Sequence, residues 1–400
     1  MLKKMDKRFF EFAITLYVPG FFINLGFSLV SPILPLYATS FDIPIALAAM
    51  VTTINALGRI SCDIPLGTLC DRMGRRPLAI FGPLLVAVSA ILSGLVQDFY
   101  QLLTCRFITG SGMAMWTVAR QAMIADNVDT SIRGRVLSTF QGANMIGSAA
   151  GPAIGGIIAE FYGYRMPFFF YGAFVLVSLI VSFLFVKESS NSIHREERLT
   201  KGTGMRRLLA YFTFPILIAA FANFSNHMRN SARGFILPLH SSINLGLSPG
   251  EIGLALSAST VMNICMIFPG GYIIDKFGRK VALVPSLVLT GIVYFFFPFT
   301  TDFISVIITA AALGLAQGIG GGATMTIASD LSPEEIRGQF LGLWQTIGDV
   351  GNAIGPLILG IMADSYGLMV PFYFISTLMM VTAITTQIFV KETLKKPLTP

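Results

Sequence analysis

The chain has 400 residues, of which 54% are hydrophobic and only 12% charged, with a formal net charge of +7. A soluble domain carries about 25% charged residues, and no soluble core of this length absorbs so much apolar surface, so lipid is the expected solvent. The basic surplus does not read as a nucleic-acid surface, because it collects in alternate loops.

The chain opens on "MLKKMDKR". The apolar stretch behind it is too long for a cleaved signal and has no small-residue cleavage site, so it reads as a first span. Apolar runs of about 20 residues, each long enough to cross about 30 Å of hydrocarbon, then follow at 9–37, 45–70, 78–97, 100–124, 135–160 and 165–186. The polar segment 187–207 reads as a linker between two bundles. Six more runs follow at 208–240, 249–274, 281–300, 302–328, 339–365 and 369–390. Strand-length alternation is absent, which argues against an outer-membrane barrel. The expected fold is all-α and membrane-embedded: twelve transmembrane helices in bundles 1–186 and 208–400, joined by 187–207.

Lys and Arg gather at the N-terminus, "DRMGRR", "SIRGR", the linker, "DKFGRK", Arg337 and "VKETLKK", whereas the opposite loops hold only Arg165. That bias places both termini in the cytoplasm, at a cell (inner) membrane whose anionic lipid is the expected partner of the basic rim. Cys62, Cys70, Cys105 and Cys265 fall inside spans, as buried packing thiols do, and offer neither a disulfide framework nor a metal signature.

The second half repeats the first at an offset of 204 residues. "PLGTLCDRMGRR" (65–76) falls on "PGGYIIDKFGRK" (269–280), Asp126 on Asp330, Gly151-Pro152 on Gly355-Pro356, and "VKES" on "VKET". Six spans per half make the repeats parallel, and such halves place a solute site near the bilayer midplane and expose it alternately to the two sides.

Gly67, Asp71, Arg72, Gly74, Arg75 and Arg76 form a G-x-x-x-D-R-x-G-R-R pattern that resembles the loop signature between spans two and three of the major facilitator superfamily. "RFITGSGMA" (106–114), "GSAAGPAIGG" (147–156) and "LGFSLVSPILP" (25–35) resemble motifs of its 12-span drug–proton antiporter branch. The resemblance covers essentially the whole chain. It implies the major facilitator fold and a gate at the cytoplasmic rim: Asp71 facing a helix N-terminus, Arg75 pairing with Asp126, Gly74 turning the loop between Arg72 and Arg76, and Asp275, Lys276 and Arg279 as the second copy. It also implies a role for Arg106 in proton transfer. Gly147, Gly151 and Gly155 recur every fourth residue, a small-residue face for close helix contact, with Pro152 as a kink. The resemblance adds an antiport role to that face, beside plain packing.

Ionisable residues within spans are costly and mark function by default. Arg59, Asp63, Arg106, Arg120, Arg229, Arg233, Asp349 and His227 form the short list of candidates. At 1.5 Å per residue, Arg59, Arg229 and Asp349 share a depth of about 15–18 Å. Arg59 and Asp63 stand four apart, so they either pair with each other or let Asp63 take a proton that releases Arg59. Arg229 and Arg233, also four apart, repel and call for an anion: Asp349 or an acidic solute. Asn24, Asn55, Asn223, Asn226, Trp344 and Gln345 are further solute-contact candidates.

Five arginines against two aspartates, with only Glu11 as an acid in span one, disfavour a cationic solute and favour an anionic, zwitterionic or neutral amphipathic one. No phosphate-binding G-x-x-x-x-G-K-[ST] loop is present, and no nucleophile–base pair or metal cluster suggests an enzyme. The expected activity is proton-coupled efflux of a small organic solute by a monomeric secondary transporter without cofactors. A proton symporter or facilitator for an organic anion or nutrient is the alternative, and a non-transporting membrane receptor or scaffold the remote one.

Overall fold

In lipid every backbone N–H and C=O must be satisfied within its own segment, so an apolar chain of this kind folds as helices. The computed structural model describes residues 2–128, 130–186, 211–333 and 336–394, apart from the side chains of 2–13, 63–73, 125, 127, 130, 131 and 133. The helices are α1 (Leu2–Val30), α2 (Leu34–Thr39), α3 (Ile45–Met73), α4 (Arg75–Leu95), α5 (Phe99–Asn127), α6 (Thr130–Tyr162) and α7 (Met166–Phe185). The second series is α8 (Phe214–Ile243), α9 (Pro249–Lys276), α10 (Arg279–Phe296), α11 (Phe303–Gly320), α12 (Ala323–Leu331), α13 (Arg337–Tyr366) and α14 (Val370–Phe389). The fold is all-helical, with twelve membrane crossings, since α1–α2 and α11–α12 each make one.

Two expected spans are therefore interrupted. The run 9–37 breaks at Ser31–Ile33, where Pro32 and Pro35 each lack the N–H that would continue the ladder. The run 302–328 breaks at Gly321 and Gly322, residues that favour an interruption over a helix interior. The expected linker 187–207 lies outside the described residues, and α8 begins at Phe214 rather than 208.

Among the described residues, eight helices are long and apolar enough to cross a membrane. Helices α5, α6 and α8 fall short, with Arg106 and Arg120 on α5 and Arg229 and Arg233 on α8 adding polarity. Helix α1 enters only over its described apolar stretch Ile14–Val30.

The chain forms two compact units. The first comprises residues 1–43, 50–199 and 248–253, and the second 44–49, 200–247 and 254–400. Thus α3 starts in the second unit and continues in the first, while α9 starts in the first and continues in the second.

The 204-residue offset reappears in local structure at several places. Gly74 and Gly278 turn into α4 and α10 at φ 90° and 127°, conformations that glycine alone adopts cheaply. Asp98 caps α5 by accepting from the Gln101 N–H at 2.9 Å, and Asp302 caps α11 through Ser305 at 2.8 Å. The first unit closes on small residues: α6 lies so near α1 that a Cβ on Gly151 would stand 2.5 Å from that of Ser28, and one on Gly155 would overlap the Leu29 carbonyl. Gly147 faces Leu25 in the same seam.

Candidate functional site

In each unit the charged loops lie at the helix ends nearest the termini. Gly74 redirects the chain so that Arg75 opens α4 and lies buried, and its Nε donates to Asp126 at the end of α5 at 2.9 Å. Arg279 repeats this at the start of α10, donating to Asp330 on α12 at 3.0 Å. Arg76 and Asp275 are exposed, and Lys276 donates to the Tyr272 hydroxyl at 2.6 Å. Gly67, Asp71 and Arg72 have side-chain positions outside the described residues. Gly271, the counterpart of Gly67, has open space among the described residues where a Cβ would stand.

Sequence reasoning missed Glu392, which belongs to the repeated "VKET". Its carboxylate accepts from the backbone N–H groups of Arg279 and Lys280 at 2.9 and 3.0 Å, and from those of Thr393 and Leu394. The Thr393 hydroxyl meanwhile donates to Asp330 at 2.8 Å. Burial pushes the Glu392 carboxyl up, but the four amide donors outweigh it and hold it below the usual carboxylate range. The repeat of "VKE" in both halves was the available signal.

A depressed folded value means that this clip contributes stability above the unfolded value of about 4.3 and loses it as pH falls through the lower folded one. Glu392→Gln is therefore expected to melt below the parent at pH 7, with the gap closing at pH below about 4. Thermal unfolding in detergent across that range is the check, and a gap unchanged by pH counts against the clip.

The interior of the first unit holds Arg106 on α5, 1% exposed. It donates to the Ser93 hydroxyl at 3.0 Å and lies 5.5 Å from the ring centre of Phe168. Among the described residues its Nε has no hydrogen-bond partner, nor has the buried hydroxyl of Tyr171. No described carboxylate pairs with it. Asn55 is buried, and its amide donates to the Arg106 carbonyl at 3.0 Å, so it braces α3 against α5 rather than facing open space. Arg59 is exposed, while Asp63, its expected partner, has a side chain outside the described residues. Arg120 is set over the Phe140 ring at 4.5 Å, and Asn24 is half-buried.

The interior of the second unit holds the α8 pair. Arg229 is 6% exposed, and Arg233 donates to Ser259 at 3.4 Å and to Gln317 at 3.3 Å. Gln317 in turn donates to Asn230 at 3.2 Å. The Tyr294 hydroxyl donates to the Arg229 carbonyl at 3.1 Å, tying α10 to α8. Neither arginine forms an ion pair with Asp349, which is half-buried on α13, so that expected pairing is absent here. His227 packs against Gly348, whose added Cβ would lie 2.7 Å from the ring Nε2, and Asn226 is half-buried.

Trp344, expected at a solute contact, lies inside the second unit. It is 1% exposed and stacks on Phe340, and its carbonyl accepts the Asn223 amide at 2.9 Å, so both residues knit α13 to α8. Gln345, one residue on, is exposed.

The sequence profile of the Major Facilitator Superfamily matches residues 16–228 and 219–400. The chain belongs to that superfamily. Its relatives include an uncharacterized MFS-type transporter of Methanocaldococcus jannaschii, 24% identical over 371 residues, or 91% of this chain and 93% of that one. Multidrug resistance protein 2 of Bacillus subtilis is 26% identical over 362 residues, or 89% of this chain and 90% of the relative. The crystal structure of a D-xylose–proton symporter superposes with TM-score 0.77 at 19% identity, over 96% of this chain and 98% of that one, which shows the shared fold. As a major facilitator, the chain is a multi-span membrane transporter of small molecules and not an enzyme.

Proposed function

We propose that this transporter exports a small organic solute, anionic or amphipathic, in exchange for protons. It would act as a monomer in the cell membrane, with both termini in the cytoplasm. One observation carries the solute class: Arg106, Arg229 and Arg233 are embedded in membrane helices without a carboxylate partner among the described residues. A desolvated guanidinium retains its attraction for an anion in a medium that screens it poorly. Likeness to multidrug resistance protein 2 supports the export direction.

In this reading Arg229 and Arg233 attract the anionic end of the solute, while Asn226, Gln345, Asn24 and Arg59 meet the rest. Asp349 carries the proton, with Asp63 and Arg106 as its counterparts in the first half. Arg75–Asp126, Arg279–Asp330 and the loop residues Gly67, Asp71, Arg72, Gly74, Arg76, Asp275 and Lys276 hold the inner rim in one pose and release it in the other. The small-residue seam of Gly147, Gly151, Pro152 and Gly155 keeps α6 rigid while the rim works.

Reconstituted vesicles loaded with an anionic dye and given a pH gradient test the exchange. Antiport moves dye against the proton flow, and dissipating the gradient stops it. Accumulation in the same direction as the protons overturns export in favour of a symporter for an organic anion, the reading that the arginine surplus by itself also allows. Indifference to the gradient identifies a facilitator. Asp349→Asn is expected to lose gradient-driven flux more than tenfold while keeping dye-for-dye exchange, because a neutral amide binds but cannot cycle a proton. Equal loss of both activities would remove Asp349 from the proton path.

A further inference from the structure

At the helix ends away from the termini, two carboxylates do the same thing. Glu160, in the last turn of α6, accepts from the hydroxyl of Ser248, the residue before α9, at 3.0 Å and from the N–H of Gly250 in its first turn at 3.1 Å. Asp364, in the last turn of α13, accepts from the N–H groups of Ile45 and Ala46 at 2.9 and 2.7 Å, the first residues of α3. Glu160 and Asp364 are 204 residues apart, as are Ala46 and Gly250, so this is one device present twice. Both acids complement the free N–H groups and the positive end of a helix that is not their own.

Small residues bring those ends together. One turn before Glu160, Gly156 lies against Gly253, where a Cβ on either would meet the other's Cα at 3.1 Å. One turn before Asp364, Gly360 lies against Ala46 and Ala49, where its Cβ would stand 2.9 Å from that of Ala49. Each capped turn belongs to one compact unit while the remainder of its helix belongs to the other. A cap on an ordinary helix end needs neither this exchange nor a second copy.

We propose that Glu160 and Asp364 are gating residues forming an outer latch: each clamps the first turn of a second-span helix in the pose seen here, and both caps must part for the outer side to open. The inference rests on the alternating-access reading above and extends it to two acids outside every motif of the sequence.

The test places spin labels at Gln97→Cys and Thr301→Cys, exposed residues in the corresponding outer loops. The four native cysteines are replaced by alanine, and the label–label distance is measured by pulsed EPR in detergent. Glu160→Gln and Asp364→Asn keep shape and remove charge. Each is expected to raise the long-distance population about fivefold relative to the short one, the effect of a charged cap at a helix N-terminus. The double variant should raise it about twenty-fivefold, since well-separated sites add.

A double variant whose distances superimpose on the parent's overturns the latch, even if its melting temperature falls, because the caps then only hold helix ends. A response to one substitution and not the other overturns the paired device. Should the double variant fail to fold, the two single variants carry the same decision. The distance readout requires neither solute nor proton gradient, so its failure is separable from failure of the transport assignment.

Discussion

Arg229→Leu/Arg233→Leu is expected to cut anionic dye flux at least tenfold while leaving the protein folded and monodisperse. A hydrogen bond to a charged group contributes about 1.5–3 kcal/mol, so each bond lost to an anion weakens binding roughly ten- to a hundredfold. Folding should tolerate the change. Neither guanidinium pairs with a carboxylate among the described residues, so no orphaned anion remains, and two desolvated cations are exchanged for smaller apolar side chains. Gln317 keeps its bond to Asn230 when Arg233 goes. Flux in vesicles and melting in detergent, measured on one preparation, decide the matter. Parent-like flux would show that the pair is architectural and would remove the anionic solute class with it.

The second large effect concerns stability. Gly155→Ala is expected to destabilise the protein by about 1–3 kcal/mol or more, the cost of overpacking a filled interior, because the new methyl overlaps a backbone carbonyl that cannot rotate away. Gly142→Ala on the same helix is the control. Nothing lies within 4 Å of a Cβ there, and alanine is favoured over glycine inside a helix by about 1 kcal/mol. A melting temperature that falls for the first and holds or rises for the second supports the seam. Equal responses would mean that α1 and α6 are free to part. The corresponding position of α13 is Leu359, fully buried, so the α8–α13 contact leaves room for a large side chain where the α1–α6 contact does not.

Most of the architecture was legible in the sequence because hydrocarbon thickness sets span length and the 204-residue repeat sets topology. The Arg75–Asp126 contact followed from family resemblance, and its geometry repeats at Arg279–Asp330. What could not be read were bonds from side chains to distant backbone. Asn55 and Asn223 look like solute contacts in a list of polar residues, yet both donate to carbonyls of a neighbouring helix. Glu160, Asp364 and Glu392 gave no sign of their partners, because recognising a cap on another helix requires knowing which helix ends nearby. Depth along a helix likewise says nothing about which face turns inward, and Trp344 is buried against Phe340. The breaks at Ser31–Ile33 and Gly321–Gly322 were signalled by proline and glycine pairs that apolar run length had outvoted.

Carrying Arg106, Arg229, Arg233 and Asp349 across the 204-residue offset lands on Ala310, Leu25, Leu29 and Met145. Moving parts were inherited in duplicate, then, while interior charges arose singly. On the proposed reading, cargo preference is uncoupled from the machinery of motion, and grafting one wall of a sister carrier onto this frame should retune what travels without rebuilding how it travels.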